Sequence, residues 1–287
     1  MGTILVIGVA TGAVYGLFAF GLVLVYKATR VLNFAQAEIG AFAAFLTWTL
    51  TERVHLPWAL AAGAALAASG VLGMTFERLV IRPLISASRL TLVVATVSAG
   101  LLVGGVELKV WGGNPKILSS PFTFSGPTIA GVVLPPPRLV ALIIGVVAAG
   151  VAAWFFRRTT FGLALLAAAQ DVVGVRLTGI RLRHLSAFTW GVSSIIGGVT
   201  GIVIALSLGA FAPFFMARLM LLGFAAAVVG GMTSLPGALV GGLVVGVAEA
   251  TIAHFWISVP GLVETVMFAV IVVVLLVRPR GLLGRAA

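Results

Sequence analysis

Residues 3–26, TILVIGVATGAVYGLFAFGLVLVY, contain no charged side chain. A helix of about 20 apolar residues is long enough to cross the hydrocarbon core of a bilayer. No Lys or Arg precedes this run, whereas Lys27 and Arg30 follow it, which is the reverse of the order in a cleavable signal peptide. The stretch therefore predicts a transmembrane helix that is retained.

The composition of the chain extends this prediction. Of its 287 residues 61% are hydrophobic and 9% charged, whereas soluble domains carry roughly 25% charged residues. A water-soluble fold could not bury so much apolar surface, so the expected solvent is lipid. The net charge of +11 does not indicate nucleic acid here, because the basic residues lie between apolar runs, where they meet anionic headgroups.

Further apolar runs follow along the chain, at 32–51, 57–77, 90–111, 138–156, 185–208, 217–233, 236–256 and 262–277. The last three are the least regular, because 217–256 is interrupted only at 232–237 and the final run is short. We therefore predict an all-α, polytopic transmembrane helix bundle with about 8–9 spans, forming a single domain over residues 1–287.

The distribution of basic residues predicts the topology. With the N-terminus outside, 13 Lys and Arg residues fall on the inside and 5 on the outside, as the positive-inside rule requires. The C-terminus is then cytoplasmic. The proline-rich segment 112–137 becomes an extracytoplasmic loop, and 157–184 becomes a cytoplasmic segment. The latter reads either as two short helices at the membrane surface, with Asp171 as a cap and Gly179 as a terminator, or as an ordinary solvated loop.

Most enzyme signatures are absent from the sequence. No Gly-Lys-Ser/Thr motif is present, so ATP cannot be bound by a phosphate-binding loop. The absence of Cys excludes thiolate chemistry, and His55, His184 and His254 are too far apart for zinc-ligand spacing. We predict no catalytic residue, no metal ligand and no bound cofactor.

A few polar residues within the apolar runs are candidates for the site. Glu38 lies in the second run, and an ionisable group there usually faces protein or water. Asn33 and Gln36, three positions apart, are expected to share a helix face. Two interpretations stay open: a polar patch beside a transport pathway or its gate, or a Glu38 that caps or snorkels near a broken helix start. Other polar positions on core helices, which fit interhelical hydrogen bonds or substrate contacts, are Thr96, Ser98, Ser193 and Ser194.

Glycine recurs at four-residue spacing inside the runs. The clearest sets are Gly8, Gly12 and Gly16, and Gly237 and Gly241. Small faces of this kind allow helix backbones to approach closely in a membrane, where hydrophobicity alone does not drive association. We expect these glycines to lie in helix–helix contacts.

Residues 12–45, GAVYGLFAFGLVLVYKATRVLNFAQAEIGAFAAF, resemble the opening of the branched-chain amino acid ABC importer permeases, in particular the shorter LivH-type subunit. Gln36 and Ala37 stand where that family usually has His and Gly. Further matching segments follow in the family's order: 77–84, 95–96, 111–112, 169–180, 230–238 and 278–282.

The resemblance implies a permease subunit in a bacterial inner membrane. Its partners would be a second permease chain, which is a longer paralogue in this family, two ABC ATPases and an extracytoplasmic binding protein. The cytoplasmic segment would couple the chain to an ATPase through Leu166, Ala169, Gln170, Asp171, Leu177, Gly179 and Ile180. ATP would be hydrolysed by those partners, and the cargo would be branched-chain or related amino acids.

The sequence alone leaves other functions open. Related permeases carry urea, short amides or other small polar solutes. An ion-coupled secondary transporter would need buried charges or broken helices that bind the coupling ion, for which Glu38 alone is thin support. A membrane enzyme or scaffold would be a third class, but no catalytic constellation is present.

Overall fold

The structure is a computed structural model of the chain. It describes residues 2–122, 126–129, 132–133, 136–160, 162–163, 167, 182–256, 259–278 and 281–284. Within these residues the regular structure is helical, apart from a short antiparallel hairpin of β1 (Thr128–Ile129) and β2 (Val132–Val133) and an isolated bridge between Lys116 and Phe211. The prediction of a helical protein is confirmed.

Each apolar run of the sequence corresponds to one helix of the described chain. The helices are α1 Gly2–Thr29, α2 Gln36–Glu52, α3 Trp58–Phe76, α4 Arg89–Trp111, α5 Pro136–Arg158, α6 Leu182–Leu208, α7 Ala217–Gly230, α8 Leu235–Phe255 and α9 Leu262–Val277. A π-helical turn, Glu77–Ile81, continues α3. Helices suit a lipid solvent because they satisfy the backbone hydrogen-bonding groups within one segment.

By length and composition, five helices of the described residues are able to cross a membrane. They are Gly2–Thr29, Trp58–Ile81, Arg89–Trp111, His184–Leu208 and Leu235–Phe255. The helices α7 and α9 are apolar but shorter. The total of 8–9 spans and the orientation of the two termini stay predictions.

Local signals in the sequence account for several helix ends. The Ser88 hydroxyl accepts a hydrogen bond from the Thr91 N–H at 3.1 Å and caps the start of α4. Ser234 caps α8 in the same way through the N–H of Gly237. Gly112, with φ of +77°, ends α4 in a conformation that glycine adopts without strain.

The chain divides into two compact units. The first unit comprises Met1–Val23, Phe122–Gly150 and Arg218–Ala287, and the second comprises Leu24–Pro121 and Val151–Ala217. In the first unit, α8 packs against both α1 and α7. The prediction of a single domain over 1–287 is not tested by this division.

The second unit has a core built on α2, α3 and α6, which pack against one another. Phe45 of α2 is fully buried and lies among aromatic rings, stacked on Trp111 at 5.3 Å and tilted against Phe211 at 4.9 Å. A smaller apolar cluster surrounds the buried Trp190, with Phe76 against it at 5.4 Å. These clusters hold the polar residues of α2 in place.

Candidate functional site

The second unit contains a buried break between α1 and α2. Arg30 has a left-handed backbone with φ of +57°, and α2 begins only at Gln36. Val31, Asn33 and Ala35 in the intervening segment are buried. Non-helical backbone at membrane depth occurs where it is enclosed by protein or lines a cavity.

The expectation that Asn33 and Gln36 share a helix face is wrong. Residues 31–35 precede α2, because Arg30 interrupts the helical hydrogen-bond ladder with its positive φ. A turn then starts the new helix, with the Gln36 N–H donating to the Asn33 carbonyl at 3.3 Å. Asn33 therefore lies in the break, and Glu38 lies in the first turn of α2.

The side chain of Gln36 links α2 to α6. The hydroxyl of Ser193 donates to Gln36 Oε1 at 2.8 Å, and both residues are fully buried. The helices approach closely here, since a Cβ on Gly197 would lie 2.9 Å from the Gln36 carbonyl oxygen. A glycine-lined contact thus encloses a hydrogen bond between two of the predicted site residues.

The other predicted hydroxyl residues have different surroundings. Thr96 of α4 donates to the Leu32 carbonyl at 2.9 Å, which ties α4 to the break. Ser194 is fully buried beside Gly73 of α3, and its hydroxyl has no hydrogen-bond partner within the described chain. Ser98 lies on the exposed face of α4 and is not brought together with these residues.

Sequence reasoning missed Glu107, which is fully buried in α4 with no hydrogen-bond partner for either carboxyl oxygen in the part of the chain that the structure describes. Glu38 is 7% exposed, and its Oε2 likewise has no partner. A signal was present, because Thr96, Gly100, Gly104 and Glu107 follow one another at helical spacing and share the buried face of α4.

The coupling residues predicted on the cytoplasmic segment are Leu166, Ala169, Gln170, Asp171, Leu177, Gly179 and Ile180. All of them lie outside the described residues. Their role in contacting an ATPase stays a prediction.

In the first unit, the glycines of α1 lie against α8. A Cβ on Gly8 would lie 2.7 Å from the Cα of Val247, and a Cβ on Gly12 would lie 2.7 Å from the Gly242 carbonyl oxygen. Gly16 faces Leu239 of the same helix. Real side chains do not tolerate such distances, so the close approach of these backbones depends on glycine.

The start of α8 makes a similar contact with α7. Gly237 lies against the backbone of Gly230, and Gly241 lies against the backbone of both Ala226 and Gly230. Gly237 and Gly241 therefore both face α7, the helix that precedes α8 in the chain.

A charged network in the first unit was also missed by sequence reasoning. Arg218 at the start of α7 forms ion pairs with Glu249 of α8 at 2.9 Å and with Glu264 of α9 at 2.8 Å. The phenol of Tyr15 on α1 donates to Glu249 Oε2 at 2.5 Å. Both carboxyl oxygens of Glu249 are therefore engaged.

Within the described residues, His, Cys, Asp and Glu side chains do not gather in groups of three or more that could hold a metal ion. The buried polar groups without a partner in the described chain include Oε2 of Glu38, the carboxyl of Glu107, the carboxamide of Asn33, the hydroxyl of Ser194 and the indole N–H of Trp190.

Comparison with known proteins gives a consistent picture. Residues 4–275 match the family described as "Branched-chain amino acid transport system / permease component". The chain is 29% identical over 295 residues to the high-affinity branched-chain amino acid transport system permease protein BraD of Pseudomonas aeruginosa, covering 98% of this chain and 95% of that protein. It is 30% identical over 295 residues to LivH of Salmonella typhimurium, with 97% and 94% covered. A probable LivH of Methanocaldococcus jannaschii is 26% identical over 283 residues, with 93% and 88% covered.

A solved structure shares the fold. The chain is similar to one in the structure "PsaBC from Streptococcus pneumoniae in complex with Fab", with a TM-score of 0.53 and 12% sequence identity. The match covers 96% of this chain and 92% of that chain. At this identity the likeness concerns the fold alone.

Proposed function

The chain belongs to the family of branched-chain amino acid transport system permease components, and from this premise we propose that it forms half of the translocation pathway of an ABC importer for branched-chain or related amino acids. The observation that carries the proposal is the extent of the match, which runs from α1 to α9 and covers nearly the full length of the relatives. The chain is a multi-pass protein of the inner membrane.

The geometry of the second unit supports a pathway role. A buried helix break and unpartnered polar side chains are expensive in a membrane protein, and they are typical of positions where a solute crosses. Asn33 and Glu38 are the pathway candidates at this break. Gln36 and Ser193 instead satisfy each other and hold α2 against α6.

The energy for transport comes, in this proposal, from two ABC ATPase subunits that contact residues 157–184. A second permease chain completes the pathway, and an extracytoplasmic binding protein delivers the solute. The N-terminus is extracytoplasmic and the C-terminus cytoplasmic, in line with the 13-to-5 distribution of Lys and Arg. The permease itself carries out no chemical reaction.

Reconstitution tests the proposal directly. The chain is purified with its partner permease and ATPases, placed in liposomes, and supplied with the binding protein on the outer side. We expect uptake of radiolabelled leucine, isoleucine or valine that requires both ATP and the binding protein. A variant of the ATPase that binds but does not hydrolyse ATP is the control, and it should abolish uptake.

Two results would contradict the proposal. Uptake that persists without ATP and collapses when an ionophore removes the ion gradients would indicate a secondary transporter. ATP-dependent uptake of urea or acetamide, with no uptake of amino acids, would keep the ABC importer but replace its substrate class.

A further inference from the structure

Two carboxyl groups of the second unit lack any donor within the described chain. Both oxygens of Glu107 are buried and unpartnered, and so is Oε2 of Glu38. An unpaired carboxylate in a membrane-spanning bundle is costly and normally faces a partner or a pathway. Because Glu107 is fully enclosed by this chain, another subunit cannot supply the missing partner in this conformation.

Glu107 belongs to the buried stripe of α4, and Glu38 lies where that stripe meets α2. A Cβ built on Gly100 would lie 3.7 Å from Glu38 Cγ and 3.4 Å from the Cα of Ala35, so α4 meets the first turn of α2 there. Glu107 is seven residues further along α4, which is about 10.5 Å at 1.5 Å per residue.

A second, independent observation points to a polar ligand at this break. Asn33 is fully buried, and neither Oδ1 nor Nδ2 of its side chain has a partner in the described part of the chain. Its neighbour Leu32 is bonded through its carbonyl to Thr96, which belongs to the same stripe of α4. Asn33 therefore lies next to the contact that encloses Glu38.

The N-terminus of α2 contributes partial positive charge to the same region. Ala35 at the N-cap position offers no side-chain oxygen to the first N–H groups of the helix. A helix N-terminus carries partial positive charge and attracts carboxylates. In membrane transporters, the N-termini of broken helices are used in this way to bind the carboxylate of a substrate.

We propose that this region recognises the two charged ends of a zwitterionic amino acid. Glu38 receives the α-ammonium group, while Asn33 and the first turn of α2 receive the α-carboxylate. Glu107 is a positioning residue about two turns further along the buried stripe of α4. The inference rests on the proposed transport function and deepens it, because neutral urea or a short amide would offer the Glu38 carboxyl no counter-charge.

The residues of this site are closed off from solvent, as in the occluded state of a transporter. α4 buries only one narrow stripe of side chains, whose members are Leu92, Thr96, Gly100, Gly104 and Glu107. A helix held along a single stripe can separate from its neighbour without disrupting the remaining core. In this proposal the ligand enters and leaves the site when α4 and α2 part.

The test is binding of radiolabelled leucine to the assembled permease–ATPase complex in nanodiscs, measured by equilibrium dialysis without the binding protein. The variants Glu38→Gln and Glu107→Gln keep the shape and remove the charge. Glu52→Gln is the matched control, because Glu52 lies at the other end of α2 and bonds the Ser119 hydroxyl near the surface. Glu107→Asp tests whether restored charge restores binding.

We expect Glu38→Gln to weaken leucine binding by roughly 10- to 100-fold, which corresponds to the loss of one charge-assisted hydrogen bond. Glu107→Gln should weaken it less, with Glu107→Asp close to wild type. Glu52→Gln should bind leucine unchanged. Assembled Glu38→Gln and Glu107→Gln complexes that bind leucine as the wild type does would overturn the proposal.

A second experiment measures competition for leucine binding to the wild-type complex. Leucinol retains the ammonium group of leucine, and 4-methylpentanoate retains only its carboxylate. Leucine should compete best, and 4-methylpentanoate should compete at least tenfold less well than leucinol. Equal competition by the two analogues would overturn the assignment of Glu38, as would a complex that imports leucine but shows no binding. A wild-type complex that imports no amino acid would instead refute the proposed function.

Discussion

Replacement of Gly12 by Ala should separate the packing cost of a side chain from its effect on helix propensity. A Cβ at this position would lie 2.7 Å from the Gly242 carbonyl oxygen and 2.8 Å from the Cα of Leu243. Carbon contacts are favourable at about 3.5–4.0 Å, so the Cβ and the Cα of Leu243 would have to move apart by about 0.7 Å or more. Overpacking of this kind costs about 1–3 kcal/mol, whereas Ala alone favours the helix by about 0.5–1 kcal/mol.

Gly105→Ala is the matched control, because a Cβ on Gly105 of α4 would have no neighbouring atom within 4 Å. It should leave the free energy of unfolding unchanged or raise it slightly. The difference between the two variants then isolates the packing cost, about 1–3 kcal/mol. The assay is unfolding by SDS titration in mixed micelles, followed by the fluorescence of the six tryptophans. Equal stability of the two variants would show that the α1–α8 contact is not tight, and the reasoning would fail.

Three further outcomes are expected. Tyr15→Phe removes the hydrogen bond to Glu249 and should lower the free energy of unfolding by about 1.5–3 kcal/mol in the same titration, since the acceptor is charged; an unchanged value would mean that the bond is not formed. Single Cys probes at Gly2 and Ala287, in a chain without native Cys, should react with impermeant reagents from opposite sides of the membrane; labelling from one side would refute the topology. Asp171→Ala should remove a helix cap worth about 0.5–2 kcal/mol and reduce substrate-stimulated ATP hydrolysis while the ATPases stay bound; full stimulation would make the segment an ordinary loop.

The helices could be predicted well from the sequence because the membrane imposes a simple rule. A span must be apolar over its whole length, so each of the runs contains a helix of the described chain. The position of the break before α2 could not be predicted in the same way, although a broken helix start near Glu38 was one of the two open interpretations. Residues 31–35, VLNFA, contain neither Gly nor Pro, and the interruption depends on the positive φ of Arg30, a residue that rarely adopts it.

The candidate site was only partly predictable, for a related reason. Periodicity shows which residues share a helix face, but it does not show which helix that face meets. Gln36 and Ser193 are both polar and were both candidates, yet their hydrogen bond joins positions 157 residues apart. The bond between Tyr15 and Glu249 spans 234 residues. Such pairs depend on the packing of the helices, which no local pattern records.

The buried charges of the two units differ in a way that separates structure from function. In the first unit, Glu249 accepts from Arg218 and from Tyr15, so its cost of burial is offset by close partners. In the second unit, Glu38 and Glu107 have no such partners among the described residues. A stabilising role explains a charge that is paired, but it does not explain why two unpaired carboxyls are kept beside a helix break. Their cost is explained if a charged solute completes the site during each transport cycle, which is why substitution of Glu38 should affect ligand binding more than folding.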